Sequence, residues 1–356
     1  MKRVGIITLT GERNYGNKLQ NYAMEQVLIS LGYKVETIRV LSKAENSKLY
    51  KEILIRNNVQ YMFRLLLKGK RRNRVIRKAR FLTFNKNLHQ ASFSIGIEMG
   101  EAEIRKKLNR YDFLVYGSDQ IWNPNFSTFS QIYLGEYAKM EKNIAICASF
   151  GIEQLSDESV VKFKKGLKNF RAISVREDAG KRIIEELGIQ TPISVLVDPT
   201  LMLSPDSWGE VESEIETPEN YFVKYFLGNP CTKELTVISQ IASERRASIV
   251  DIGREACLGP SDFLSYIHHA SCVCTDSYHA VVFALLFGKE VYVFQRVDKY
   301  DSMNSRMQTL FKKLPCKLER AESYIHVSAA EAKSESLKGY IKVEREKFKK
   351  FILINL

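Results

Sequence analysis

Short β-branched runs alternate with helical stretches along most of this chain, and that alternation limits its fold more than any other feature. From Val4 to Leu9 runs a first strand, followed by the polar loop TGERNYGN and a helical stretch from about Lys18 to Leu31. Gly32 stands where a helix stop is needed, and a second strand runs from Lys34 to Val40. Further strands are expected near Phe113 to Tyr116, Asn143 to Cys147, Ala172 to Val175 and Val195 to Val197, with helices such as Asp157 to Lys168 and Glu177 to Leu187 between them. Strand and helix in turn imply a mostly parallel sheet covered on both faces.

The pattern breaks between Leu203 and Asn220, where SPDSWGEVESEIETPEN carries two prolines and no periodic apolar face. A second alternating set follows: Tyr221 to Leu227, a helix from about Lys233, Ser248 to Ile252, a helix near Pro260 to His269, Cys272 to Thr275, a helix from about Ser277, and Glu290 to Phe294. The expected organisation is therefore α/β: a Rossmann-like domain over residues 1–205 with an insertion at about 45–90, a linker at 206–220, and a second Rossmann-like domain at 221–330. A charged C-terminal helix at 331–356 completes the chain. Two such domains are expected to leave a cleft between the carboxyl ends of their sheets, where doubly wound folds bind ligands.

The formal charge of +13 suits polyanions, acidic membrane surfaces or anionic small molecules. Nine of the basic residues lie between Arg64 and Arg80, a stretch without Asp or Glu, and without them the charge falls to +4. So local an excess does not indicate a nucleic-acid-binding face. Apolar residues precede it, and the segment reads either as a solvated basic helix or as one that adsorbs to an anionic surface. The six cysteines show no CxxC pair and are read as reduced thiols, Cys272 and Cys274 packing on one strand face. The apolar run at the N-terminus is too short for a signal peptide, and no run of 18 apolar residues occurs. A cytoplasmic protein is expected, with peripheral contact at the inner face of the membrane as the further expectation.

Four clusters carry residues suited to chemistry. In NYGNKLQNYA, the residues Asn14, Tyr15, Asn17 and Gln20 surround a helix start where backbone N–H groups favour anions; Tyr15 and Gln20 fit packing and capping equally well. In YGSDQIWNP, the residues Ser118, Asp119, Gln120, Trp122 and Asn123 crowd one loop with hydrogen-bonding groups and an aromatic platform, a composition suited to a sugar; Asp119 also fits an N-cap. In ISVRED, Arg176 leaves a strand and is expected to point toward a carboxylate or phosphate, pairing with Glu177 or Asp178 being the structural alternative. In TDSYHAVVFALLFGK, an apolar helix carries Ser277, Tyr278 and His279 at its start. His279 there occupies the positive end of a helix dipole, a place suited to an acid that works on a bound anion, though a lone histidine is more often structural. No metal-ligand spacing, GxxxxGK[ST] or GxGxxG occurs.

Taken in order, these clusters resemble the polysaccharide pyruvyl transferase family. NYGNKLQNYA, GSDQIWNP, NIAICASFG, ISVRE, VLVDPTLML, the Gly259-Pro260 helix start with Phe263, TDSYHAVVFALLFGK and SRMQTLF carry the resemblance from residue 1 to about 315. It implies a two-domain GT-B-like fold, phosphoenolpyruvate as co-substrate with no other cofactor or metal, and a pyruvate ketal formed on two hydroxyls of a glycan or lipid-linked saccharide. By resemblance His279 is the acid and Arg176 a donor-binding cation, with Ser277 and Tyr278 beside them; Asn14, Tyr15, Asn17, Gln20, Ser118, Gln120, Trp122 and Asn123 would face the acceptor. Asp119 is our own choice of hydroxyl base. Some relatives place Arg-Leu before the histidine where this chain has Ser277-Tyr278, so a donor cation must come from Arg306, Arg296 or Lys224, and Arg306 is preferred. Two other readings remain: a GT-B-type glycosyltransferase using a nucleotide sugar, and a non-catalytic glycan- or membrane-binding subunit.

Overall fold

The computed structural model describes residues 1–11, 14–41, 70–96, 99–253, 256–296 and 305–356. The chain forms two units, Met1–Leu66 with Asn85–Pro199 and Glu346–Leu356, and Leu67–Phe84 with Thr200–Arg345.

In the first unit, seven strands stand in the order β3-β2-β1-β4-β5-β6-β7, all parallel: β1 Arg3–Ile7, β2 Lys34–Val40, β3 Gln90–Ile95, β4 Phe113–Tyr116, β5 Asn143–Ala148, β6 Ala172–Val175 and β7 Ile193–Val195. Central strands β5 and β6 are buried along their whole length, because helices cover both faces of a parallel sheet and leave no polar side to alternate with. Edge strands β3 and β7 are only partly buried. Strand order reverses between β1 and β4, the point where open α/β sheets place ligands.

The second unit orders its strands β12-β13-β11-β10-β8-β9, comprising β8 Tyr221–Tyr225, β9 Ser248–Asp251, β10 Cys272–Thr275, β11 Glu290–Phe294, β12 Glu319–Arg320 and β13 Tyr324–Val327. The four strands from β8 to β11 are parallel, whereas β13 and β12 add antiparallel at one edge. Here the order reverses between β8 and β10. Cys272 and Cys274 pack together in the buried cluster with Phe222, Ile238 and Phe294, and all six cysteines are free thiols.

Two expectations change. The stretch read as a linker is an integral part of the second unit: Trp208 is buried in the helix Pro205–Gly209, with its indole N–H donating to the Thr200 carbonyl at 3.2 Å. Ser213 then donates to Asp262 at 2.7 Å and receives the Ser265 hydroxyl on its carbonyl at 2.6 Å. The basic segment also belongs here in part. The helix Lys70–Phe84 buries Phe81 and Phe84, sends Arg77 to the Gly253 carbonyl at 3.3 Å, and pairs Arg80 with Asp262 at 2.5 Å. Arg77 and Arg80 are thus engaged within their own unit, while the part of the basic stretch from 64 to 69 lies outside the described residues. Among the described residues no helix is long and apolar enough to cross a membrane.

Asp262 receives Arg80, the Gly259 N–H at 2.7 Å and the Ser213 hydroxyl on one carboxylate. Asp262→Ala strands three donors and is expected to lower the unfolding free energy by about 3 kcal/mol, read from the urea midpoint.

Candidate functional site

Each unit places candidate residues at the point where strand order reverses, and the first unit adds Arg176 after β6. In the first, the chain leaves β1 and β4 side by side, and three side chains lock the two exits together. The Thr8 hydroxyl donates to the Ser118 carbonyl at 3.0 Å, Gln20 Nε2 donates to Thr8 Oγ1 at 3.1 Å, and Ser118 Oγ donates to Gln20 Oε1 at 2.5 Å. Asn14 caps the helix Tyr15–Ser30 by accepting the Gly16 N–H at 2.9 Å, and the Asn17 carbonyl accepts from Gln20 at 2.9 Å. Asp119 adopts φ +67°, a left-handed conformation that a short carboxylate side chain tolerates, and its Oδ1 accepts the Gln120 N–H at 2.8 Å.

The crowding of hydrogen-bonding groups in Tyr116–Pro124 has an internal explanation. Gln120 Oε1 accepts from Asn123 Nδ2 at 2.8 Å, and Asn123 Oδ1 in turn accepts the Asn125 N–H at 3.0 Å. Trp122 is fully buried between Phe150 and Phe170, with ring centroids at 5.3 and 5.6 Å, and its indole N–H donates to the Tyr133 carbonyl at 2.8 Å. Its ring offers no face to solvent, so the expected sugar platform gives way to core packing. Tyr15 is likewise fully buried.

Arg176 does not project from the end of β6. Its guanidinium is wholly buried 2.9 Å from Asp198, itself wholly buried and 22 positions away along the chain. Glu177 instead turns to the exit of β5, where its Oε1 accepts the Ser149 hydroxyl at 3.0 Å and the N–H groups of Phe150 and Gly151 at 2.8 and 3.1 Å. Cys147 sits beside Arg176 and Asp198 and donates its thiol to the Val197 carbonyl; burial pushes that thiol well up from its usual range. Gly151 has φ +63°, and a Cβ there would lie 2.1 Å from Gln120 Oε1. Gly151→Ala is expected to displace the Gln120 side chain and lower stability by about 2 kcal/mol in a thermal melt.

In the second unit, β8 and β10 end side by side. Asp276 bridges them by accepting the Leu227 N–H at 2.6 Å and the Gly228 N–H at 2.8 Å; burial raises its carboxyl above the usual range, against the pull of those amides and of Arg296. Thr275 continues the lock, donating to the Tyr225 carbonyl at 2.6 Å and accepting the Ser277 N–H at 3.0 Å. The helix Tyr278–Leu286 starts there, fully buried, with Ser277 at its N-cap position and His279 in its first turn at 6% exposure. The rings of Tyr278 and His279 meet edge to face at 5.5 Å. Arg306, from the helix Ser305–Lys313, lies over the Tyr278 ring with its guanidinium carbon 5.5 Å from the centroid.

Of the three cations named as substitutes, Arg306 is held against Tyr278. Arg296 acts on Asp276, and Lys224 is paired with Asp251 at 2.8 Å. The sequence reading missed Asp276, Glu177 and Asp198 as the groups that organise these loops, although all three stand inside the motifs it quoted. Only the partners' distance along the chain hid them.

A family model for polysaccharide pyruvyl transferase matches residues 14–296. No curated protein matches the chain. Among solved structures, the chain is similar to UDP-GlcNAc 2-epimerase from Methanocaldococcus jannaschii, with a TM-score of 0.50 and 11% identity over 97% of this chain and 99% of that one. It is also similar to the S. aureus MnaA co-structure with UDP, with a TM-score of 0.51 and 10% identity over 100% of this chain and 98% of that one. At such identities the likeness is one of fold, and it places the chain in the GT-B-like class of two Rossmann-like units.

Proposed function

Since the chain belongs to the polysaccharide pyruvyl transferase family, we propose that it moves the pyruvate unit of phosphoenolpyruvate onto two hydroxyls of a saccharide, giving a cyclic ketal. The observation that carries this reading is His279 in the first turn of a buried helix with Arg306 laid over the neighbouring Tyr278. An enol phosphate needs an acid at its methylene carbon and cations near its phosphate and carboxylate, and both residue types are present at one strand end.

In this reaction His279 protonates C3 of the enol, and positive charge develops at C2. One sugar hydroxyl bonds to C2, the C2–O bond to phosphate breaks, and the second hydroxyl closes the ring on the same carbon. Of the two hydroxyl protons, one restores the histidine and the other leaves with phosphate or solvent. Ser277, Tyr278 and Arg306 are the proposed donor-side residues, and Asp119 the proposed hydroxyl base. Arg176, buried against Asp198, is retained as a donor residue only through the family resemblance.

The test is incubation of the protein with phosphoenolpyruvate and candidate glycans. Phosphate release matched by a pyruvate mass gain on the glycan supports the reading. Stabilisation by uridine diphosphate sugars, with none by phosphoenolpyruvate, favours a nucleotide-sugar enzyme instead. Arg306→Met is expected to raise the KM for phosphoenolpyruvate about tenfold or more, with partial recovery in Arg306→Lys.

A further inference from the structure

The helix Glu335–Asn355 ends against the free edge of the first sheet. Residues 347–355 and strand β7 form the walls of a groove of about 570 Å³. Lys347, Lys350, Phe351 and Ile354 repeat at helical spacing along one wall, and Val195 with Arg171 contributes to the other. None of the residues lining the groove is acidic. Ile354 on that wall and the adjacent Leu353 are 64% and 62% exposed, an unusual placement for two neighbouring branched aliphatic side chains. Glu346, on the same helix, is occupied by Lys349 at 3.6 Å.

Apolar side chains flanked by cations, with no acid among them, are complementary to the headgroup and acyl boundary of an anionic bilayer. From this arrangement we infer that the C-terminal helix and the β7 edge form a docking face for an anionic lipid membrane. Leu353 and Ile354 enter the boundary, and Arg171, Lys347 and Lys350 face the lipid phosphates. This assignment differs from the tether expected at Arg64 to Arg80, where Arg77 and Arg80 are turned onto their own unit. It is independent of the reaction proposed above, because the vesicles used to test it carry no saccharide.

Flotation of the full chain with phosphatidylcholine vesicles, with and without phosphatidylglycerol, tests the inference. The unaltered protein is expected to float only with the anionic vesicles, and less as salt shortens the reach of the charges. Lys347→Gln with Lys350→Gln is expected to reduce partitioning by about thirtyfold, at the usual worth of a lysine near an anionic surface. Leu353→Ser with Ile354→Ser is expected to reduce it as well, and both pairs should leave the thermal midpoint unchanged. The inference is overturned if the unaltered protein ignores anionic vesicles, or if both pairs partition as it does. It is also overturned if the lysine pair alters the mass in solution while leaving partitioning intact, which would mark a face for a second copy.

Discussion

His279→Ala is expected to lower turnover of phosphoenolpyruvate by about 10²- to 10⁴-fold, the range that a positioned general acid contributes. The KM for phosphoenolpyruvate should change far less, because the proposed donor-side residue Arg306 remains. The split matters, since His279 is buried and packed edge to face on Tyr278, so a purely structural role is the competing explanation. A structural histidine would give a lowered thermal midpoint with turnover restored by an isosteric amide. The expected result is the reverse: His279→Gln keeps the midpoint and loses the rate. Undiminished turnover in either variant would remove the acid from this residue.

The second large effect is on stability. Arg176→Ala leaves Asp198 as a wholly buried carboxylate without its 2.9 Å partner, and removing one member of such a pair costs about 3 to 5 kcal/mol. Urea unfolding should show that loss in Arg176→Ala and a similar one in Asp198→Ala. The double variant Arg176→Met with Asp198→Leu should recover most of it, because it buries apolar groups of similar volume and strands no charge. Its activity then separates two roles. A stable, active double variant makes the pair a structural clamp between β6 and the segment after β7, whereas a stable but inactive one assigns Arg176 to the donor as the family resemblance implies.

Much of the fold could be read before any coordinates. The strands from Lys34 to Val40, Phe113 to Tyr116, Ala172 to Val175, Cys272 to Thr275 and Glu290 to Phe294 lie where the β-branched runs placed them, as does the helix Pro260–His269. Such segments announce themselves because periodicity and helix-stop chemistry are local. Strands β3, β12 and β13 did not, since they are mixed in polarity or only a few residues long and lack the continuous apolar run of a buried parallel strand.

The candidate site was legible as positions and illegible as orientations. Loops after strand ends could be picked out because they combine glycine with polar residues, and the order of motifs carried the family. A loop dense in hydrogen-bonding groups looks alike whether those groups await a ligand or bond one another. Gln120 with Asn123, and Ser118 with Gln20, proved to be of the second kind.

By itself, then, the sequence determined the alternation of strand and helix, the two Rossmann-like units and the strand ends at which polar clusters gather. Only the tertiary structure decided which side chains meet. It joined Arg80 to Asp262 across 182 positions, closed Trp122 into the core, turned Arg176 onto Asp198 and brought the C-terminal helix beside β7. The physical reason is that backbone preference is settled within a few residues, whereas the partner of a buried charge or ring is settled by strand order, which no local pattern encodes.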